Sequence, residues 1–196
     1  MENIKSVCVF CASSPNTAQV YLDQAFELGR LLALNGIGLV TGGGSMGLMA
    51  GVEDGALSVG GKVTAVIPQF MIEAGWLHKG IRDVVVTGTM HERKQRMFGL
   101  ADAIVTMPGG CGTLDELTEV LTLKQLGLLS SPVVIMNSNG YFDYFLQHLQ
   151  RQSDEGFMRP VHLELWSVAS DPAAVMDQLR KTPEWDTGLG KMAPNR

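Results

Sequence analysis

Cysteine is scarce: Cys8, Cys11 and Cys111 are the whole supply in 196 residues. Three is an odd number, so no disulfide framework is implied and a reducing compartment is expected. Cys8 and Cys11 spell C-x-x-C, but the surrounding VCVFCAS reads as a strand, where residues three apart face opposite ways. A redox or metal pair is therefore not expected, and no metal ligands are assigned. Basic charge is short as well, with 15 Lys and Arg against 20 Asp and Glu, a formal net charge of −5. That is a poor footprint for nucleic acid or for an anionic membrane. No stretch approaches the roughly 18 apolar residues of a membrane span. The opening MENIKSV lacks the pattern of a secretory leader, so a cytoplasmic protein is expected. An anionic ligand would have to be held by local dipoles and a few placed cations.

What the sequence does have is alternation. Short apolar, β-branched runs at 4–11, 37–41, 63–67, 84–87, 103–107 and 132–137, with a weaker one at 166–169, predict about seven strands. Helical periods fall between them, over 17–34, 48–59, 90–100, 114–128 and 141–153. A last helix is expected after Asp171 as N-cap, with Pro172 at its first position. Strands apolar on both faces, alternating with helices, predict an α/β fold: a Rossmann-like, doubly wound parallel sheet flanked by helices. One nucleotide-binding catalytic domain over 1–181 is expected, followed by a flexible tail over 182–196. In open sheets of this kind, ligands bind beyond the carboxyl ends of the strands.

Two glycine clusters fall at that edge. One is Gly42-Gly43-Gly44-Ser45-Met46-Gly47, and the other is Pro108-Gly109-Gly110-Cys111-Gly112-Thr113. A strand-to-helix loop aims free backbone N–H groups and a helix dipole at an anion, and glycine lets the backbone approach closely. Neither cluster is a Walker loop, since no Gly-Lys-Ser/Thr follows, and the first lacks the acidic ribose reader of a dinucleotide fold. Two such loops at one edge favour a phosphate site. The residues alone leave open which loop takes the phosphate.

Chemistry-bearing side chains stand close by. Thr113-Leu114-Asp115-Glu116 fits a capping box, with Thr113 at N-cap and Glu116 bonding back to it. The other reading of Glu116 is a carboxylate one turn from an anion cradle, with Glu119 on the same helix face and Asp115 turned away. Met90-His91-Glu92-Arg93-Lys94-Gln95-Arg96-Met97 reads as an amphipathic helix with Met90, Met97 and Leu100 inward. Alternatively, its arginine forks onto phosphate or onto a charged leaving group.

GGGSMGLMAG, MHERKQRM and MPGGCGTLDELTEVLTLKQLG together resemble the Lonely guy (LOG) family of cytokinin riboside 5′-monophosphate phosphoribohydrolases, over roughly residues 4–180. Many relatives carry the label lysine decarboxylase. The resemblance implies hydrolysis of a purine (adenine or N6-prenyladenine) nucleoside 5′-monophosphate to free base and ribose 5-phosphate. It also implies a homodimer and no cofactor. Its catalytic pair falls on Glu116 and Arg93. Substrate-binding positions fall on Ser13, Ser14, Gly43, Gly44, Gly47, Lys94, Gly109, Gly110, Gly112, Thr113 and Glu119, with the phosphate stretch at 109–113. One departure concerns the base: the family's glutamate seven residues beyond the proline of VIP is Gly75 here, and the nearest carboxylate is Glu73. Two rival readings are a non-catalytic carrier of a nucleotide or molybdenum cofactor, and lysine decarboxylation. The second needs a Schiff-base lysine opposite a pyridinium partner, an arrangement that Lys62, Lys94 and Lys124 do not offer.

Overall fold

A computed structural model of the chain describes residues 4–190. Among these residues seven strands form one sheet: β1 Ser6–Phe10, β2 Gly38–Thr41, β3 Val63–Pro68, β4 Asp83–Thr87, β5 Ala103–Thr106, β6 Val133–Met136 and β7 Ser167–Ala169. Their order is β4-β3-β2-β1-β5-β6-β7, and every neighbouring pair is parallel. The chain winds outward from β1 to β4, then crosses back to β5 on the other side of β1. The crevice between β1 and β5 is thus the topological switch point, where a ligand enters such a sheet.

Among the described residues seven α-helices accompany the strands, six between them and one after β7: α1 Gln19–Leu34, α2 Gly47–Ser58, α3 Gln69–Glu73, α4 Met90–Gly99, α5 Cys111–Gln125, α6 Asp143–Asp154 and α7 Pro172–Lys181. Alternate strand residues feed two cores. Val7, Val9, Leu39, Val105 and Val134 pack with α1, α2 and α7 on one face. Cys8, Phe10, Val40, Ile104 and Ile135 pack with α4, α5 and α6 on the other. Burial on both faces accounts for the continuous apolar strand sequences. Cys8 and Cys11 fall in opposite cores, as the strand period requires. Among the described residues no helix is long and apolar enough to cross a membrane.

Several details depart from the sequence reading. The five-residue α3 has no periodic signal and was not expected. Helix α4 keeps Met97 buried but leaves Met90 and Leu100 exposed, and it buries Arg93 and Phe98 instead. Val20, apolar and in the first turn of α1, is exposed. Residues 182–190 run back against the domain: Trp185 is buried in the second core and its backbone N–H donates to the Ser130 carbonyl at 2.7 Å. Removing one indole from water is sufficient reason for the segment to fold back. Residues 191–196 of the expected tail lie outside the described residues.

Candidate active site

A cavity of about 470 Å³ opens at the carboxyl edge of the sheet, a volume that suits a nucleotide-sized ligand. Cys11, Ala12, Ser13 and Ser14 enter it from the end of β1, Gly42, Gly44, Ser45 and Met46 from the end of β2, and Gly110, Gly112 and Thr113 from the end of β5. The floor carries Arg93 from α4 and Glu116 from α5. Met49, Ile67, Met71, Trp76 and Met90 make an apolar wall.

Glu116 owes its place to where α5 begins. The N-cap is Gly110, three residues earlier than a capping box would need, and no side chain caps the helix. Thr113 therefore lies inside the first turn and Glu116 in the second, beyond reach of the N-cap N–H. The capping reading is thereby overturned. Instead Glu116 Oε1 accepts from Arg93 Nη1 at 3.2 Å, and the two residues are 7% and 6% exposed. Burial pushes the Glu116 carboxyl up to about 7, against the opposing pull of the Arg93 charge. A buried acid poised near neutrality beside a fixed cation is a group able to exchange a proton at physiological pH.

Arg93 is held as firmly. Its Nε donates to the Val66 carbonyl at 3.0 Å, which ties the guanidinium to the end of β3. A Cβ at Gly42 would overlap that guanidinium, so the glycine is what lets loop and arginine approach each other. Thr89 caps α4 by accepting from the Glu92 N–H at 3.1 Å, while the Glu92 carboxylate accepts from the Gly88 N–H at 2.9 Å. Both bonds set the helix entry from which Arg93 projects.

Lys94 and Glu119, expected at the ligand, meet each other instead: Lys94 Nζ lies 2.6 Å from Glu119 Oε2 and 2.9 Å from Asp115 Oδ2. One residue along α4 turns a side chain by about 100°, so Lys94 leaves the cavity where Arg93 enters it. Glu116 and Glu119 do share the face toward α4, but only Glu116 reaches the cavity. Glu73 is exposed and accepts from Gln69 at 3.0 Å, so it does not take over the position vacated at Gly75.

The two glycine loops differ in what their amides do. In the first, the Gly43 N–H donates to Thr41 Oγ1 (3.1 Å), Gly44 to the Met49 sulfur (3.0 Å) and Ser45 to the Trp76 carbonyl (2.9 Å). Gly47 (φ +65°) lies so near the Ser13–Ser14 backbone that a Cβ there would fall 2.5 Å from the Ser14 carbonyl oxygen. In the second loop the N–H groups of Gly110, Cys111, Gly112 and Thr113 have no acceptor among the described residues. They form the bare N-terminus of a 15-residue helix. Gly109 stays behind the cavity wall, where its carbonyl accepts from the Tyr141 hydroxyl at 2.7 Å. Of the expected glycines, Gly44, Gly110 and Gly112 therefore line the cavity, and Gly43, Gly47 and Gly109 shape the loops around it.

Sequence reasoning missed the apolar wall, Tyr141 and Val66. The methionines at 46, 49, 71 and 90, all at or just beyond strand ends, were the available signal.

Comparison with known proteins identifies the family. Residues 49–179 match a family described as "Possible lysine decarboxylase". The chain is 38% identical over 177 residues to a probable cytokinin riboside 5′-monophosphate phosphoribohydrolase of Oryza sativa subsp. japonica, covering 90% of this chain and 78% of that one. It is 36% identical over 183 residues to a cytokinin riboside 5′-monophosphate phosphoribohydrolase of Arabidopsis thaliana, covering 91% and 80%. Among solved structures, the molybdenum cofactor carrier protein of Chlamydomonas reinhardtii superposes with a TM-score of 0.69 at 26% identity, covering 90% of this chain and 96% of that one. With a parallel sheet wound about β1, a buried arginine–glutamate pair and relatives of this closeness, the chain belongs to the Lonely guy (LOG) family.

Proposed function

We propose that this protein hydrolyses the N-glycosidic bond of purine nucleoside 5′-monophosphates, with adenine or N6-prenyladenine as the base, releasing the base and ribose 5-phosphate. The observation that carries the reading is the Arg93–Glu116 pair, buried in a cavity whose rim presents unbonded amides at a helix N-terminus. The names of the curated relatives support the same chemistry.

In this reading the 5′-phosphate takes the amides of Gly110, Cys111, Gly112 and Thr113, where the α5 dipole favours negative charge. The hydroxyls of Ser13 and Ser14 serve the sugar phosphate from across the crevice. The base lies against Met71, Trp76 and Met90, with the indole offering a stacking face. The ribose is then held above Glu116. Breaking C1′–N sends the bonding pair to the base and leaves positive charge on the ribose, which an ionised Glu116 stabilises. The same carboxylate orients the water that adds to C1′ and takes its proton, which then passes, directly or through solvent, to the departing base and leaves Glu116 ionised again. Arg93 favours the ionised form of Glu116 against the burial that disfavours it, and so holds the group near neutrality. Binding energy from the phosphate, remote from the reacting bond, fixes the sugar for attack.

The reading includes a homodimer in the cytoplasm. Supporting the first are Met46, Trp76 and Met90, apolar and more than two-fifths exposed at the cavity; supporting the second are three free cysteines. Light scattering coupled to gel filtration tests the dimer.

The activity test incubates the protein with AMP, N6-isopentenyl-AMP and the matching unphosphorylated nucleosides, and resolves free base by chromatography. Release from the monophosphates and not from the nucleosides is the expected result. AMP bound without release would make the protein a carrier, the role named for the solved structure from Chlamydomonas. Absence of both binding and release would end the proposal.

A further inference from the structure

Glu53 has no part in the chemistry above, yet it is 0% exposed, in the middle of α2. One carboxyl oxygen lies 2.6 Å from Thr41 Oγ1, and the other, also buried, has no hydrogen-bond partner. No cation pairs with it among the described residues. A carboxyl group placed so deep, for one hydrogen bond, calls for an account.

The account lies in what Thr41 does next. Its hydroxyl accepts from the Gly43 N–H at 3.1 Å, at the first bend of the loop after β2. The Gly43 carbonyl in turn accepts from the His78 N–H at 2.9 Å, and the Ser45 N–H donates to the Trp76 carbonyl at 2.9 Å. These two bonds make a short antiparallel bridge, Gly44 to Leu77, that fastens the segment after α3 onto the loop. A second strut runs alongside: His78 Nε2 lies 3.2 Å from Asp54 Oδ1, next to Glu53 on the same helix. The wall that faces the base therefore hangs, bond by bond, from α2.

We propose that Glu53 is a positioning residue for the reaction: through Thr41 it sets the loop at 42–45, and through that loop it sets Trp76 in the cavity wall. The inference rests on reading the cavity as a nucleotide site.

Burial pushes the Glu53 carboxyl up to about 8, helped by the neighbouring Asp54 charge and opposed by the Thr41 hydroxyl and the Gly43 N–H. At pH 7 Glu53 is then mostly the neutral acid, which the site can hold without a counter-ion. Among the described residues no cation pairs with the charge when the proton leaves. Cys11 at the end of β1 interacts with Glu53, and its thiol is itself pushed well up by burial. Strands β2 and β3 carry no titratable side chain. On α1, Glu27 and Arg30 pair with each other at the surface, and Asp23 accepts from Gln19. Ionised Glu53 would draw the Thr41 hydroxyl harder and place a charge behind the loop, loosening the wall and with it the hold on the base.

The test compares wild type with Glu53→Gln and Glu53→Ala between pH 6 and 10, measuring KM and kcat for AMP and, separately, AMP affinity by calorimetry. In wild type, KM should rise roughly tenfold from pH 7 to pH 9, as the neutral form becomes a minority, with kcat changing by no more than the roughly twofold gain that ionisation of Glu116 brings. Glu53→Gln, neutral at every pH and of the same shape, should match wild type at pH 7 within about twofold and lose the alkaline rise. Glu53→Ala should show the higher KM at all pH values. Lys124, which burial brings down to about 8 near the far end of α5, also titrates in this range. A rise that survives in Glu53→Gln, or a folded Glu53→Ala with wild-type KM, overturns the inference. If wild type binds AMP but releases no base, the hydrolase reading fails while the affinities still judge Glu53.

Discussion

The two glycine loops are near twins in sequence and opposites in use. The loop after β2 spends its amides inside the protein, on Thr41, Met49 and the Trp76 carbonyl, and so becomes a bracket for the cavity wall. The loop after β5 leaves four successive amides without an acceptor among the described residues, at the start of α5. Glycine content alone does not identify an anion site. What matters is whether the N–H groups that glycine exposes have already been claimed. On that criterion the second loop is the one left free to meet an anion, as the proposed function requires, and the first is scaffold.

The comparison can be broken or sharpened by substitution. The largest effect is expected just behind the second loop: Glu116→Gln should lower kcat by about 10²- to 10³-fold with KM for the nucleotide nearly unchanged. In wild type, kcat should climb as pH rises through about 7, because burial has raised the carboxyl there and only its ionised form serves the reaction. A pH–rate series on both proteins checks the pair, and the acid limb should vanish with the carboxylate. Next comes the first loop. Gly47→Ala sets a side chain at φ +65° against the Ser14 carbonyl, and should cost about 1–3 kcal/mol of stability in urea titration. The smallest effect is the most pointed. Cys111 stands at the first position of α5, preceded by Gly110 in an extended conformation, where proline fits without strain. Cys111→Pro deletes a single amide and should raise KM for the monophosphate about tenfold while urea stability holds. Lost stability without a change in KM would assign this loop, too, to scaffolding.

The fold was legible in the sequence because both of its signals are local. Apolar runs of strand length alternating with helical periods leave little choice but a parallel sheet with helices on both faces. The failures share one cause. Helix α3 is too short to show a period, and Trp185 has no neighbours of its own kind; for Arg93 the helical pattern left surface charge as an alternative until Val66 and Glu116 were brought to it. Lys94 and Glu119 were misplaced because spacing tells which residues share a face, and not which face meets a cavity.

By itself, then, the sequence determined the winding of the sheet, the edge where a ligand enters and the chemical types gathered there, since these follow from periodicity and from residues adjacent in the chain. Tertiary structure alone decided which amides remain free, which of two neighbouring cations turns inward, and that a buried acid on α2 bears on a wall built from 76–78. Each of those depends on the distance between groups far apart along the backbone, a quantity that no local pattern encodes.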